Sequence, residues 1–99
     1  MYTRLQHGNE LREHNRLALR RLARRLCADA RDAEAWHALG SVLLDMGHRA
    51  GAVAALSNAL KIDDTRRHSD LALGNLLFDS WQFDSALRCF ARVEEGGRW

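Results

Sequence analysis

Histidine and cysteine side chains are the groups in this sequence best suited to metal binding, proton transfer and nucleophilic attack. The 99-residue chain holds seven of them: His7, His14, His37, His48, His68, Cys27 and Cys89. No two histidines lie four residues apart, and neither cysteine belongs to a CxxC or Cys/His cluster. Zinc sites depend on such spacing. The sequence therefore predicts no metal site.

The two cysteines are interpreted as small apolar helix residues in a reducing cytoplasm, which predicts a cytoplasmic protein. Cys27 follows Arg24 and Arg25, and nearby positive charge favours a reactive thiolate. The simpler interpretation, which we favour, is an inert, half-buried thiol beside Leu26. The sequence has no Gly-rich phosphate-binding loop and no GxSxG motif, so it predicts neither a catalytic residue nor a cofactor.

Arginine gives the second chemical signal, because residues 1–32 carry eight arginines against four acidic residues. A helix face that carries several of these arginines, called the arginine stripe below, can bind phosphates or anionic lipid. Its candidate contact residues are Arg16, Arg20, Arg21, Arg24 and Arg25. Acidic neighbours dilute the stripe, and no aromatic residues interleave for base stacking. We therefore favour a solvated helix face and keep nucleic-acid or anionic-surface binding through residues 10–28 as the alternative function.

Helices must position these side chains, because alanine, leucine and arginine abound while proline is absent. A shift of 34 residues superimposes Leu39 on Leu73, Gly40 on Gly74 and Ala52 on Ala86. Such periodicity marks stacked repeats that bury their apolar faces against their neighbours. We predict one domain over 1–99, with a degenerate repeat at 1–32 and clear repeats at 33–66 and 67–99.

Helix boundaries follow from capping and turn residues. We expect a break at Gly8-Asn9, with Asn9 capping a helix over residues 10–28 and a short or frayed helix before it. Later caps are expected at Asp32 and Thr65, and turns at 47–48, 63–65 and 80–82. Glycine within a helix costs about 1 kcal/mol relative to alanine. The paired glycines of the two repeats are therefore expected at equivalent close helix crossings.

The pattern Trp36-x-x-Leu39-Gly40-x-x-Leu43, followed by Gly47, Ala52, Leu56 and Ala59, resembles the tetratricopeptide repeat (TPR). Leu73-Gly74-x-x-Leu77, followed by Phe83, Ala86 and Phe90, resembles a second copy. The resemblance implies an all-α superhelix of antiparallel helix hairpins. Three positions depart from the pattern: Asp64 replaces the repeat-ending proline, Asp70 stands where Trp36 stands, and Trp81 replaces the turn glycine.

In TPR proteins the first helix of each repeat lines a concave groove that takes a peptide or a partner helix. Carried over to this chain, the resemblance implies the following groove residues: Glu34, His37, Ser41, Leu44, Asp45, His68, Leu71, Asn75, Phe78 and Asp79. The alternative for Leu44 and Phe78 is that they form part of the core between repeats. His37 and His68 either face each other and make binding pH-sensitive or, as we prefer, are polar surface residues.

The C-terminal edge is expected to leave Phe83, Leu87 and Phe90 partly bare, since Trp99 alone cannot cover them. Self-association or a partner subunit would bury this edge.

The sequence contains no long apolar run, so it predicts neither a membrane span nor a signal peptide. We predict a non-catalytic adaptor or chaperone that binds another protein or peptide. In size, the chain resembles the bacterial TPR chaperones that hold secretion-apparatus subunits. Acidic groove residues argue against partners with acidic tails.

Overall fold

The computed structural model describes the backbone of residues 4–96 and the side chains of residues 12–93. Within these residues the chain forms five helices: α1 (Arg4–Ala28), α2 (Ala33–Asp45), α3 (Arg49–Ile62), α4 (Arg67–Asp79) and α5 (Phe83–Gly96). Helix α2 packs on α3 and α4 on α5, while α3 joins the two hairpins by packing on α4, and α1 packs on α2. This arrangement confirms the predicted all-α stack of helix hairpins.

The stack is elongated, with extents of 49 × 33 × 23 Å. Its core runs between the hairpins and contains mainly small and branched aliphatic side chains. The fully or nearly buried members are Ala52, Leu56, Leu73, Leu76, Leu77, Ala86 and Cys89. Burial raises the pKa of the Cys89 thiol, which therefore stays protonated and inert. Cys27, expected to be half-buried, is instead exposed.

Helix α1 corrects the prediction for the N-terminal region. It runs without interruption from Arg4, so the expected break at Gly8-Asn9 and the expected cap at Asn9 are wrong. One glycine costs about 1 kcal/mol, which the leucine- and arginine-rich remainder of the helix offsets. Trp99 lies outside the described residues, and so do the side chains of residues 1–11, including that of His7. The division of the chain into three repeats remains a prediction.

The cap at the start of α2 is confirmed. Asp32 Oδ1 accepts a hydrogen bond from the Ala35 N–H at 3.0 Å, which satisfies one of the free amides of the first turn. That bond, with a smaller contribution from Arg25, holds the pKa of Asp32 below its usual value. Arg25 Nη2 lies 2.8 Å from Asp32 Oδ2, so the capping residue also ties the end of α1 to the start of α2.

The cap predicted at Thr65 is wrong, although the turn predicted at 63–65 is present between α3 and α4. The Thr65 hydroxyl donates to Asp63 Oδ1 at 2.6 Å, and the Thr65 N–H donates to the same oxygen at 3.1 Å. This local turn occupies the side chain that would otherwise cap the helix. Arg66 takes the N-cap position and makes no side-chain capping bond.

The two hairpin turns are built alike. The His48 N–H donates to Leu43 O at 2.8 Å, and the Gln82 N–H donates to Leu77 O at the same distance, 34 residues later. This bond is typical of a helix that ends with a residue in the left-handed conformation. Gly47 adopts it with φ of 81°, and Trp81 adopts it with φ of 65°. The tryptophan thus takes a backbone conformation that favours glycine.

Gly40 and Gly74, the paired glycines of α2 and α4, both lie at close crossings, as predicted. A Cβ atom on Gly40 would lie 2.9 Å from Leu56 Cγ and 3.4 Å from Ala52 O. A Cβ atom on Gly74 would lie 2.7 Å from Phe90 Cε1 and 3.2 Å from Cys89 Cβ. The contacted helix is the second of the hairpin in each case. The absence of a side chain therefore allows α2 to approach α3 and α4 to approach α5.

Candidate functional site

The ten groove residues implied by the resemblance lie on α2 and α4, the first helices of the two hairpins. Within each helix their spacing of three and four residues places them on one side. Nine of them are exposed, and His37 is half-buried. The surface formed by these ten residues is called the groove face below. Its role in binding stays a prediction.

The apolar members of the groove face are open to solvent. Leu44 is 40% exposed, Leu71 44% and Phe78 54%. These values exclude the alternative that Leu44 and Phe78 belong to the core between repeats. The groove face therefore combines exposed apolar side chains with acidic neighbours.

Two of the three acidic residues of the groove face lie at one end, while Glu34 lies in the first turn of α2. Asp45 is the last residue of α2 and Asp79 the last residue of α4, and both are exposed. The unpaired carbonyl groups at a helix C-terminus carry negative partial charge, which adds to that of the carboxylates. This end of the groove face therefore attracts cationic groups. Phe78 and Leu44 lie directly beside the two aspartates in the sequence, so apolar and cationic contacts can be made together.

His37 links the two hairpins across the groove face. Its Nδ1 atom lies 2.7 Å from Ser69 Oγ, a hydrogen bond between α2 and α4. Ser69 is completely buried. Burial, together with the positive charges of Arg66 and His68, lowers the pKa of His37. His68 itself is exposed. The histidine is thus held neutral as part of the packing, rather than standing free as one of a pair of surface histidines.

The lowered pKa of His37 makes stability depend on pH. The unfolded chain binds a proton near the ordinary value of 6.5, and the folded chain only at lower pH. The contribution of neutral His37 to the free energy of unfolding is therefore fully present above pH 6.5 and decreases as the pH falls below that value. We expect His37→Gln to lose less stability between pH 7 and pH 5 than the parent, in urea unfolding. His48→Gln, at an exposed histidine on a turn, is the control, and equal losses in parent and His37→Gln would contradict the assignment.

Asp70 forms an interaction that the sequence did not indicate. The residue is 3% exposed, and its Oδ1 atom accepts hydrogen bonds from Arg92 Nε at 2.9 Å and Arg92 Nη2 at 2.5 Å. The arginine is on α5, and its side chain is about half exposed. Asp70 occupies the position of Trp36 in the preceding hairpin, so an ion-paired carboxylate stands there in place of an aromatic side chain. The only sequence signal was an acidic residue in an otherwise apolar repeat position.

The arginine stripe on α1 is exposed along its length. Arg16, Arg20, Arg21, Arg24 and Arg25 all face solvent. Arg25 pairs with Asp32, and Arg16 lies 3.7 Å from Glu13 with both side chains largely exposed. Arg20, Arg21 and Arg24 have no ion-pair partner among the side chains of residues 12–93. The stripe therefore keeps a net positive charge that is available to an anionic partner.

Neither a metal-binding cluster nor a membrane-spanning helix occurs in the described part of the chain. Among residues whose side chains are placed, no three histidine, cysteine or acidic side chains gather as metal ligands would. None of the helices within residues 4–96 combines the length and apolar content that a bilayer crossing requires.

Comparison with known proteins places the fold. No protein-family model matches the sequence, and no curated protein matches it. Among solved structures, the chain is similar to a crystal structure of MamA, with a TM-score of 0.83 and 21% identity over 93% of this chain and 54% of MamA. It is also similar to the "MamA RS-1 ArsTM double mutant", with a TM-score of 0.82 and 24% identity over 86% of this chain and 48% of the other.

The similarity to MamA, a TPR-repeat protein, confirms the resemblance that the repeat pattern indicated. This chain spans about half the length of the MamA structures that it matches. At such low identity the likeness concerns the fold, and residue roles must be argued from the side chains of this chain.

Proposed function

We propose that this chain is a non-catalytic protein-interaction module that binds a partner segment on its groove face. The observation that carries the proposal is the exposure of Leu44, Leu71 and Phe78 on the same side of the first helices of both hairpins. Other apolar residues of those helices fill the core, whereas these side chains keep 40–54% of their surface in solvent. They are available as anchor contacts for an amphipathic or extended segment.

The charges of the groove face specify the chemistry of that segment. Exposed Asp45 and Asp79 favour basic residues next to the apolar anchors and repel carboxylates. The partner we propose is therefore a peptide or helix with apolar residues and flanking lysine or arginine. An adaptor or chaperone role fits such a surface. A role in holding subunits of a secretion apparatus, in the cytoplasm of a bacterium, remains a prediction from the sequence resemblance.

Selection from a random peptide display library tests the proposed partner chemistry. We expect the selected peptides to combine leucine or phenylalanine with neighbouring lysine or arginine. Their affinity, measured by fluorescence anisotropy, should fall about tenfold in the Asp45→Lys/Asp79→Lys variant, since two favourable surface contacts become repulsive. The matched control is Glu13→Lys/Asp64→Lys, which makes the same change in net charge at exposed residues outside the groove face.

Two results would contradict the proposal. One is enrichment of acidic peptides, and the other is an equal loss of affinity in the groove variant and the control. A failure to select any peptide would also count against a groove that binds a linear segment.

A second function is supported by the arginine stripe, because Arg20, Arg21 and Arg24 are exposed without acidic partners among the described side chains. We rank nucleic-acid or anionic-surface binding below protein binding, since no aromatic side chain interleaves with the arginines. Salt-dependent retention on heparin that is lost in an Arg20→Ala/Arg21→Ala/Arg24→Ala variant would favour this function. Equal retention of the variant and the parent protein would exclude this function.

A further inference from the structure

The C-terminal edge of the stack carries an exposed apolar patch that shares only Phe78 with the face that we propose for peptide binding. Its four members are Phe78, Trp81, Phe83 and Leu87, defined here as the edge patch. Trp81 is 80% exposed and Leu87 63%. The Phe83 ring lies 5.0 Å from the Phe78 ring and 5.8 Å from the Trp81 ring, measured between centroids. The three rings thus form one contiguous cluster, and much of its surface is open to solvent.

The backbone at Trp81 shows that this patch is not optimised for the stability of the free chain. Its φ of 65° lies in the left-handed region, which a residue with a Cβ adopts at a cost of about 1–2 kcal/mol. The equivalent turn in the preceding hairpin uses Gly47. A large aromatic residue that is strained and almost wholly exposed contributes little to folding. Such an arrangement is typical of a residue kept for a contact outside its own chain.

The preceding hairpin shows what kind of element can cover this edge. Val53 on α3 packs against the buried cluster that includes Leu73, Leu76 and Leu77 of α4. Leu87 is the residue of α5 that corresponds to Val53 after a shift of 34 residues. The position that receives a helix in the first hairpin is thus open in the second. The geometry of the edge patch is suited to a packed helix.

The exposed side of α5 is complementary to itself. It carries Phe83, Asp84, Leu87, Arg88 and Ala91, all exposed. Asp84 and Arg88 have no ion-pair partner among the side chains of residues 12–93. When two copies of α5 pack antiparallel about a two-fold axis near residues 85–86, Phe83 of one copy meets Leu87 of the other. In the same register Asp84 meets Arg88 of the second copy, and the small Ala91 permits close approach.

We infer that the edge patch binds a second copy of this chain and forms a two-fold symmetric dimer with antiparallel α5 helices. In such an interface each contact occurs twice, because residue i meets j and j meets i. The register above makes two apolar contacts and two ion pairs, with Trp81 and Phe78 extending the contact at its ends. The matched signs of the charges favour a second copy over a partner of uniform charge.

The size of the edge patch sets the strength of the dimer. Its four side chains expose roughly 400–500 Å² per chain, about half of what a stable interface of standard size buries on each partner. We therefore expect a reversible dimer with a dissociation constant in the micromolar range. Sedimentation equilibrium over a range of about 1–300 μM should show a monomer–dimer transition, and a monomer throughout would overturn the inference.

Charge-swap variants test the proposed register. Asp84→Arg leaves two positive charges on the exposed side of α5, and Arg88→Asp leaves two negative charges. Each variant alone should dissociate at least tenfold more readily than the parent. When the two variants are mixed, every Asp84–Arg88 contact is restored in reversed or original form, so a heterodimer of parent-like affinity should appear. Mixing that yields no heterodimer would exclude the register.

Trp81→Gly separates the dimer from folding. The substitution relieves the left-handed strain, so the monomer should unfold at a higher denaturant concentration than the parent. It also removes the largest exposed side chain of the edge patch, so the dimer should dissociate at least tenfold more readily. A variant that is both more stable and equally dimeric would show that Trp81 lies outside the interface and would overturn its assignment. Peptide binding on the groove face should not change, because Trp81 is not one of its ten residues.

Discussion

Replacing Gly74 with valine is expected to lower the free energy of unfolding by about 3 kcal/mol, because the helix crossing has no space for a side chain. The Cβ atom alone would lie 2.7 Å from Phe90 Cε1 and 3.2 Å from Cys89 Cβ. Phe90 packs against the buried cluster and Cys89 belongs to it, so movement of either side chain disturbs that packing. Either α4 and α5 must separate, or the ring must leave the core.

Urea unfolding measures this loss, with Ala54→Val as the matched control. Ala54 is exposed on α3, so its substitution changes only helix propensity, by less than about 0.7 kcal/mol. Gly40→Val should behave like Gly74→Val, since its Cβ atom would lie 2.9 Å from Leu56 Cγ. Equal stabilities for Gly74→Val and the control would mean that the hairpins are not packed as described.

Replacing Arg92 with leucine is expected to lower the free energy of unfolding by about 2 kcal/mol, because it leaves the Asp70 carboxylate buried without its partner. Removal of one partner from a fully buried ion pair costs about 3–5 kcal/mol. The smaller value applies here because the Arg92 side chain is about half exposed, and water can partly replace it. Arg92→Leu also removes the 3.5 Å contact with Cys89 Sγ.

A double-mutant cycle isolates this interaction. The Asp70→Leu/Arg92→Leu variant should be destabilised by less than the sum of the two single variants, since no charge is then left unpaired. Arg20→Leu, at an exposed arginine on α1, is the control and should change stability by less than about 0.5 kcal/mol. If Arg92→Leu costs no more than the control, the ion pair does not contribute to the packing of α4 on α5.

The fold could be predicted from the sequence because the residues that constrain it most strongly occur twice. Gly40 and Gly74, with the apolar residues around them, indicate the same helix crossing in both hairpins. Because so many positions match, the similarity of the two segments is not due to chance. The Asp32 cap and the Gly47 turn are local, and their chemistry is visible within a few residues. Helix α1 is different. Gly8 there predicted a break, but summed helix propensity along 25 residues outweighed the local signal.

The side-chain contacts between different helices were not accessible in the same way. His37 and Ser69 are 32 residues apart, and Asp70 and Arg92 are 22 apart. Neither pair has a spacing that marks it in the sequence, because each depends on how two helices lie beside each other. The composition of the groove face was visible, whereas the exposure of Leu44 and Phe78 required the structure. The left-handed backbone of Trp81 was hidden because tryptophan rarely adopts it.

Photo-crosslinking from single positions tests most directly whether α2 and α4 form the binding face. A photoreactive phenylalanine derivative replaces Leu71 on the groove face in one variant and exposed Ala54 on α3 in the other, and each protein is irradiated in lysate. The expected result is a discrete protein adduct from position 71 that the peptides selected on the groove face suppress, with none from position 54. Adducts from position 54 alone, or adducts at both positions that the peptides do not suppress, would contradict the proposed function.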